Sequence, residues 1–222
     1  MVSILMPIYN GVEFITDSIP SILNQTVQEW ELLIGINGYP ANSPVYQTVQ
    51  AYISDPRIKL LDFPECKGKS ATLNKMVPAC QYAYVAILDV DDIWMPTKLE
   101  AQWPWLEKYD VIGTRCRYFG DLNSNGPNIP TGDLSSFNFL ENNPMINSSS
   151  LIKKELAYWD ETSFIEDYAL WLRLWRQGCR FYNVPDLLVN HRIHRASAFN
   201  AKGNHNHVDA LKRGMAPPGP PI

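Results

Sequence analysis

Asp89-Val90-Asp91 is the short segment of this chain with the clearest chemistry in it. Two carboxylates two residues apart at the end of a strand project the same way and can reach one ion. Hard divalent cations take such oxygen ligands, and Mg²⁺ or Mn²⁺ usually shares them with the phosphates of a substrate. Alone, D-x-D reads as a solvated loop more readily than as a metal site. Its place directly after the apolar run Tyr84 to Leu88 turns the reading toward metal.

Three further clusters could work with it. Glu166-Asp167 opens a helical pattern, where the helix dipole favours an ionised carboxylate. Such an acid is either a first-turn cap or a general base that takes a proton from a hydroxyl. His191-Arg192-Ile193-His194 follows a short apolar strand, Leu187 to Val189. His194 could add an imidazole to the ion on Asp91, which would favour Mn²⁺, while Arg192 and Arg195 could neutralise a diphosphate. Lys67-Gly68-Lys69-Ser70 precedes a helix starting near Ala71 and reads equally as a diphosphate cradle or an exposed basic turn. It lacks the frame of a Walker A loop.

The elements that must position these residues alternate. Val2 to Ile8 is an apolar strand closed by Tyr9-Asn10-Gly11, followed by a helix over Phe14 to Leu23. Glu31 to Ile36 is a second buried strand stopped at Asn37-Gly38. Val45 to Ile53 and Thr72 to Tyr82 have helical spacing, and Ile58 to Phe63 and Tyr84 to Leu88 are strands. This alternation predicts an α/β fold with a mainly parallel sheet flanked by helices. Ligands of such sheets bind beyond the carboxyl ends of the strands. Tyr9-Asn10, Asn37-Gly38 and the acids from Asp89 to Asp92 should therefore share one cleft. Gly120 to Ser136 reads as a long loop, and Asp167 to Gln177 as a helix capped by Gly178.

Composition narrows the class. With 222 residues, 45% apolar and 12% aromatic, the chain can bury a substantial core. A net charge of −4 and the lack of a basic run argue against a nucleic-acid partner. The four cysteines are far apart with no C-x-x-C pair, and the start has neither a basic n-region nor a cleavage site. No apolar run reaches membrane-spanning length. The expectation is a soluble cytoplasmic protein, free or peripheral to a membrane. One domain over 1–200 is expected, with 201–222 as a poorly ordered tail or a linker into a longer multidomain chain.

Taken in order, the segments resemble the inverting GT-A-fold glycosyltransferases of family 2, from Val2 to about Phe199. VSILMPIYNG looks like the family's first strand and donor-base loop, and SILNQTVQEWELLIGING resembles its "S-x-L-x-Q-T … E-L-I-I-V-D-D-G" block. GKSATLN is close to "G-x-S-x-A-x-N", and VAILDVDDIWMPTKLE to the D-x-D strand with its "D-x-x-x-P-x-K-L-E" sequel. FIEDYALWLRL resembles "E-D-x-x-L-W-L-R", and HRIHRAS resembles "Y-R-x-H-x-x-S". Each match is weak alone; six in the family's order are specific.

The resemblance implies a GT-A (Rossmann-like) fold, a nucleotide-diphosphate sugar donor with UDP favoured, a glycan or other hydroxyl acceptor, and Mn²⁺ or Mg²⁺. It places Pro7, Tyr9 and Asn10 at the base pocket and Asn37-Gly38 at the base's hydrogen-bonding edge. Lys69, Asp89 and Val90 fall to the donor; Asp91, with Asp89 and His194, to the metal. Asp167 falls to the catalytic base, beside Glu166. Two positions depart from the pattern. Asn37 stands where an aspartate is usual, which opens the identity of the base, and Leu73 replaces a common arginine, whose charge Lys67 or Lys69 would supply. A sugar nucleotidyltransferase would want a Gly-rich basic loop after the first strand, and a processive synthase membrane spans and Q-x-x-R-W. A silent nucleotide- or glycan-binding module would not need Asp167.

Overall fold

The computed structural model describes residues 1–40, 43–195 and 204–215. The Pro-rich end, expected to stay out of the core, lies outside the described residues beyond Met215. The first strand, β1 (Val2–Ile8), is buried at every position, as is β2 (Trp30–Asn37). Apart from Ser3 and Glu31, which hydrogen-bond to each other, and the terminal Asn37, these are the apolar runs that a strand covered on both faces needs. With β3 (Ile58–Phe63) and β4 (Tyr84–Ile87) they form a parallel block in the order β3-β2-β1-β4.

Alternate residues of these strands enter two different cores. Ile4, Met6 and Ile34 pack on one face with Ile15, Ile19 and Ile22 of α1 (Ile15–Leu23), with α2 (Pro44–Gln50) and with Leu99 of α4 (Lys98–Gln102). Leu5, Leu33 and Ile87 pack on the other with Leu73 and Met76 of α3 (Lys69–Met76) and Trp171 and Leu174 of α5 (Glu166–Arg176). The chain is thus a three-layer α/β molecule.

The sheet continues from β4 through three strands, of which sequence patterning isolated only the middle of the last. Beside β4 runs β9 (Leu151–Lys153), antiparallel, then β6 (Val111–Gly120) and β10 (Phe181–Ile193), the last two parallel to each other. The expected short strand Leu187 to Val189 is the middle of this 13-residue β10. Its register against β6 breaks around exposed Pro185-Asp186, where proline has no N–H to give the ladder. β5 (Ile93–Trp94) closes the edge by pairing with Val189 and Asn190, which brings the chain just after Asp91-Asp92 beside the strand leading into His191.

The 120–136 stretch is irregular apart from two-residue pairings, β7 (Ser124–Asn125) and β8 (Gly132–Asp133). The helix expected over Thr72 to Tyr82 starts earlier, at Lys69, and gives way at Val77 to a 3-10 turn containing Pro78. Gly178 ends α5 with φ of +77°, the left-handed geometry a helix C-terminus favours in glycine. Part of the extension after residue 200 is also ordered: α6 (Asn204–Met215) is helical, and its Val208 and Leu211 pack against the second core.

Candidate active site

Parallel β1, β2 and β4 deliver their carboxyl ends to one edge of the sheet, and a cleft of about 1660 Å³ opens there. Ordinary small-molecule pockets hold roughly 300–1,000 Å³, so there is room for two substrates. Every residue that the family resemblance assigns to the donor, the metal or the catalytic base lines it.

One end is built by the β1 and β2 termini. Pro7 ends the wall from β1, with Tyr9 and Asn10 beyond it. Asn37, the last residue of β2, is fully buried, and neither its Oδ1 nor its Nδ2 has a hydrogen-bond partner among the described residues. A buried amide costs free energy unless it is bonded, so this orphan marks a place where a ligand's polar edge would fit. Gly38 turns the chain away with φ of +77°, and the Tyr9 ring lies so close over it that a Cβ there would meet Cε2 at 2.9 Å. Tyr9 itself is 60% exposed and stands 6.2 Å from the ring of Tyr39.

The acids occupy the middle. Asp89 and Asp91 both line the cleft just past the end of β4, on a turn closed by Asp92 N–H donating to the Asp89 carbonyl, and each has its own partners. Asp89 Oδ1 takes Lys69 Nζ at 2.5 Å, and Oδ2 accepts from Asn147 Nδ2 at 3.1 Å. Burial pushes its pKa up, but the Lys69 charge outweighs that and leaves it below the ordinary value. Asp91 Oδ2 lies 3.0 Å from His194 Nε2. Its pKa is raised, first by burial and then by the charges of Asp92 and Asp89. Val90, between them in the chain, is 7% exposed and belongs to the first core.

Lys69 is not the exposed basic turn the sequence allowed. As the first residue of α3 it reaches Asp89 and, at 3.5 Å, Glu166 Oε1. Its ammonium is desolvated, yet these acids raise its pKa and keep it charged. Lys67 is exposed at the rim. Asp167, in the first turn of α5, feels burial and the Glu166 charge more than the opposing Lys69 charge, and its pKa rises to about 6. Its Oδ1 accepts from the Tyr168 N–H at 2.7 Å.

Arg192 does not face the cleft as expected. Its guanidinium lies between the Phe14 and Phe119 rings, donates from Nε to the Asp91 carbonyl and pairs with Asp17. It braces the acid loop from outside. His191 takes the inward place instead: its Nδ1 is 2.9 Å from Oδ2 of fully buried Asp92, whose Oδ1 accepts from the Arg192 N–H. Burial opposes charge on His191, but Asp92 prevails and lifts its pKa to about 9. The third acid of D-V-D-D was the only sequence signal for this pair.

A 3-10 turn at Asn147–Ser149, also unread in the sequence, fixes the centre. Ser148 Oγ accepts from the Asp89 N–H at 3.2 Å, and its carbonyl accepts from the buried Trp94 indole at 2.6 Å. Gln102 Nε2 donates to the Ser149 carbonyl, and Thr114 N–H donates to Ser149 Oγ.

Among the described residues no three His, Cys, Asp or Glu side chains gather into a preformed cage. A cation shared with a diphosphate needs only one or two protein ligands, and the Asp91–His194 pair is a carboxylate-imidazole set of that size.

A sequence profile described as glycosyl transferase family 2 matches residues 3–165. The chain belongs to that family. It is 29% identical over 211 residues to the O-antigen biosynthesis glycosyltransferase WbnJ of Escherichia coli, covering 89% of this chain and 81% of the relative. The fold is similar to that of S. aureus TarS 1–349 in complex with UDP-GlcNAc, with a TM-score of 0.77, 15% identity and coverage of 96% of this chain and 66% of that one. It is also similar to the mannosyltransferase PcManGT from Pyrobaculum calidifontis in complex with GDP-Man and Mn²⁺, with a TM-score of 0.69, 15% identity and coverage of 89% and 58%. This family 2 chain therefore has the GT-A fold its sequence resembled. Asp167 lies just past the matched span, so its case rests on the geometry above. Among the described residues of this glycosyltransferase, no helix is long and apolar enough to cross a membrane.

Proposed function

We propose that this enzyme transfers a sugar, with inversion, from a nucleoside diphosphate donor, UDP favoured, to the hydroxyl of a glycan or other acceptor. The observation that carries the reading is the presence of two unusual groups in one cleft: a buried, unbonded Asn37 amide and an Asp167 carboxyl whose pKa is raised to about 6.

Asn37 can accept from a base N–H through Oδ1 and donate to a carbonyl through Nδ2, which suits the uracil edge. The UDP-sugar in TarS supports this choice, and the GDP-sugar in PcManGT keeps guanine as the alternative. Pro7, Tyr9 and Asn10 shape the walls around the base. Asp91 and His194 would hold Mn²⁺ or Mg²⁺ together with diphosphate oxygens; bound, the ion supplies charge neutralisation of the departing diphosphate. Asp89 is kept ionised by Lys69 and fixed by Asn147 and Ser148, so it presents an acceptor oxygen to the donor without reorganising. Asp167 is ionised at neutral pH yet basic enough to take the acceptor's proton, and Glu166 sharpens it by repulsion. That hydroxyl attacks the anomeric carbon opposite the leaving diphosphate, so one displacement inverts the centre.

A thermal-shift panel of nucleoside diphosphates and their sugars, with EDTA or Mn²⁺, tests the reading. A ligand that binds only the folded chain raises its melting temperature. UDP or a UDP-sugar with Mn²⁺ should give the largest rise, largely lost in EDTA. A flat response to every nucleotide would end the proposal.

A further inference from the structure

Phe164 is the most exposed large apolar side chain among the described residues, at 77%, and it stands two positions before Glu166 on the cleft wall. Its neighbour Ile165 packs against the second core, so the exposure is local to the phenyl ring. One face of that ring is stacked on His207 of α6, with centroids 4.4 Å apart and planes 21° apart. At this exposure the opposite face is open. The helix that supplies His207 is itself anchored: Val208 and Leu211 pack on the core, and Lys212 Nζ donates to the Glu141 carbonyl at 2.7 Å. The phenyl is therefore backed and held rather than dangling.

Amides of Asn142 and Asn143 line the same cleft, together with apolar Ile165 and Val208. Asn142 is exposed, with no hydrogen bond among the described residues. Asn143 uses Oδ1 to accept from the Met145 N–H at 3.1 Å, which leaves its NH₂ to the cleft. One flat apolar surface a single ring wide, flanked by amides, matches a pyranose, which has an apolar C–H face and a rim of hydroxyls. Aromatic rings supply large contact area at little entropic cost, and a few placed polar groups fix orientation.

We propose that Phe164, backed by His207 and flanked by Asn142 and Asn143, is the acceptor subsite, and that the reacting hydroxyl belongs to a pyranose ring stacked on the phenyl face. The proposal rests on Asp167 being the base, since it places the acceptor at that end of the cleft.

Saturation-transfer NMR on the whole chain with UDP and Mn²⁺ tests it, with the methyl glycosides of glucose, galactose, mannose and N-acetylglucosamine as probes and n-butanol as the comparison. At least one glycoside should receive saturation at its ring C–H protons. Phe164→Ala should weaken that glycoside tenfold or more, whereas Phe164→Trp and Phe164→Tyr should stay within about threefold. The UDP-induced thermal shift of each variant reports that the fold and the donor end are intact. An unchanged affinity in Phe164→Ala, binding of n-butanol with no glycoside bound, or no bound glycoside at all would overturn the assignment. If UDP gives no shift while a glycoside still contacts Phe164, the donor reading fails and this one stands.

Discussion

Replacing Asp167 by Asn should weaken the enzyme and strengthen the protein at once. In the folded chain the carboxyl titrates near 6 rather than near 3.8, because it is buried and faces Glu166. An unfolded chain gives up this proton near pH 4 and the folded chain near pH 6, so between those values the unfolded state binds fewer protons and stability falls as pH rises. Above pH 6 the cost is constant, up to about 3 kcal/mol at about 1.4 kcal/mol per tenfold change in proton affinity. Asparagine fills the same space without it. At about 2–4 °C per kcal/mol for a chain of this size, the variant should melt roughly 6–12 °C above wild type at pH 8. About half of the gain should remain at pH 5. Transfer should fall by about 10²–10⁴-fold, the usual worth of a positioned base. The wild-type rate should fall tenfold per pH unit below about 6, and the residual rate of the variant should lack that limb. Initial rates against pH, with melting curves at pH 5 and 8, measure all of this. A variant that melts no higher than wild type at pH 8, or transfers within tenfold of it, would refute the reasoning.

Lys69→Met removes the ammonium between Asp89 and Glu166 and should cost about 1–3 kcal/mol in urea unfolding, less than a fully buried pair because the site is partly open. It should also move the acid limb of the pH–rate profile above 6, since the Lys69 charge opposes the rise at Asp167; an unmoved limb would contradict the coupling. Asn37→Leu should raise the melting temperature of the free protein by removing two unbonded buried atoms, yet weaken UDP tenfold or more. Thermal shift with and without UDP reads both, and unaltered UDP affinity would detach Asn37 from the donor. Gly38→Ala forces a side chain into left-handed backbone and into the Tyr9 ring, and should destabilise by about 1–2 kcal/mol in the same urea assay.

β1, β2 and β4 were legible because each is a mostly apolar run ended by a turn signal, and edge strand β3 because Ile58, Leu60, Leu61 and Phe63 outweigh Lys59 and Asp62. β6 was not: Gly113, Arg115 and Arg117 break its apolar run, and it becomes a strand by pairing with distant β10 and β9. β10 hides its length behind exposed Pro185-Asp186, and α6 reads as a polar, Asn-rich stretch until Val208 and Leu211 meet the core. In the site, residue types at strand and helix ends pointed to the cleft, since topology brings those ends together. Partners could not be read, because they lie far apart in the chain: Asp92 with His191, Asp89 with Asn147, Lys69 with Glu166. Local spacing holds no record of such pairs, and it misassigned Arg192 for that reason.

The three-residue turn at Asn147–Ser149 is a junction where the acid loop, Trp94, Gln102 and Thr114 are all pinned. The irregular stretch from 120 to 146 leaves the sheet at the end of β6 and rejoins the frame at that junction. Between its buried anchors Leu134, Phe139 and Met145, its exposed parts can therefore change while the oxygen atoms of Asp89 stay where they are. If the acceptor is the pyranose proposed above, such a layout separates the parts that hold the leaving group from the exposed surface that meets the recipient.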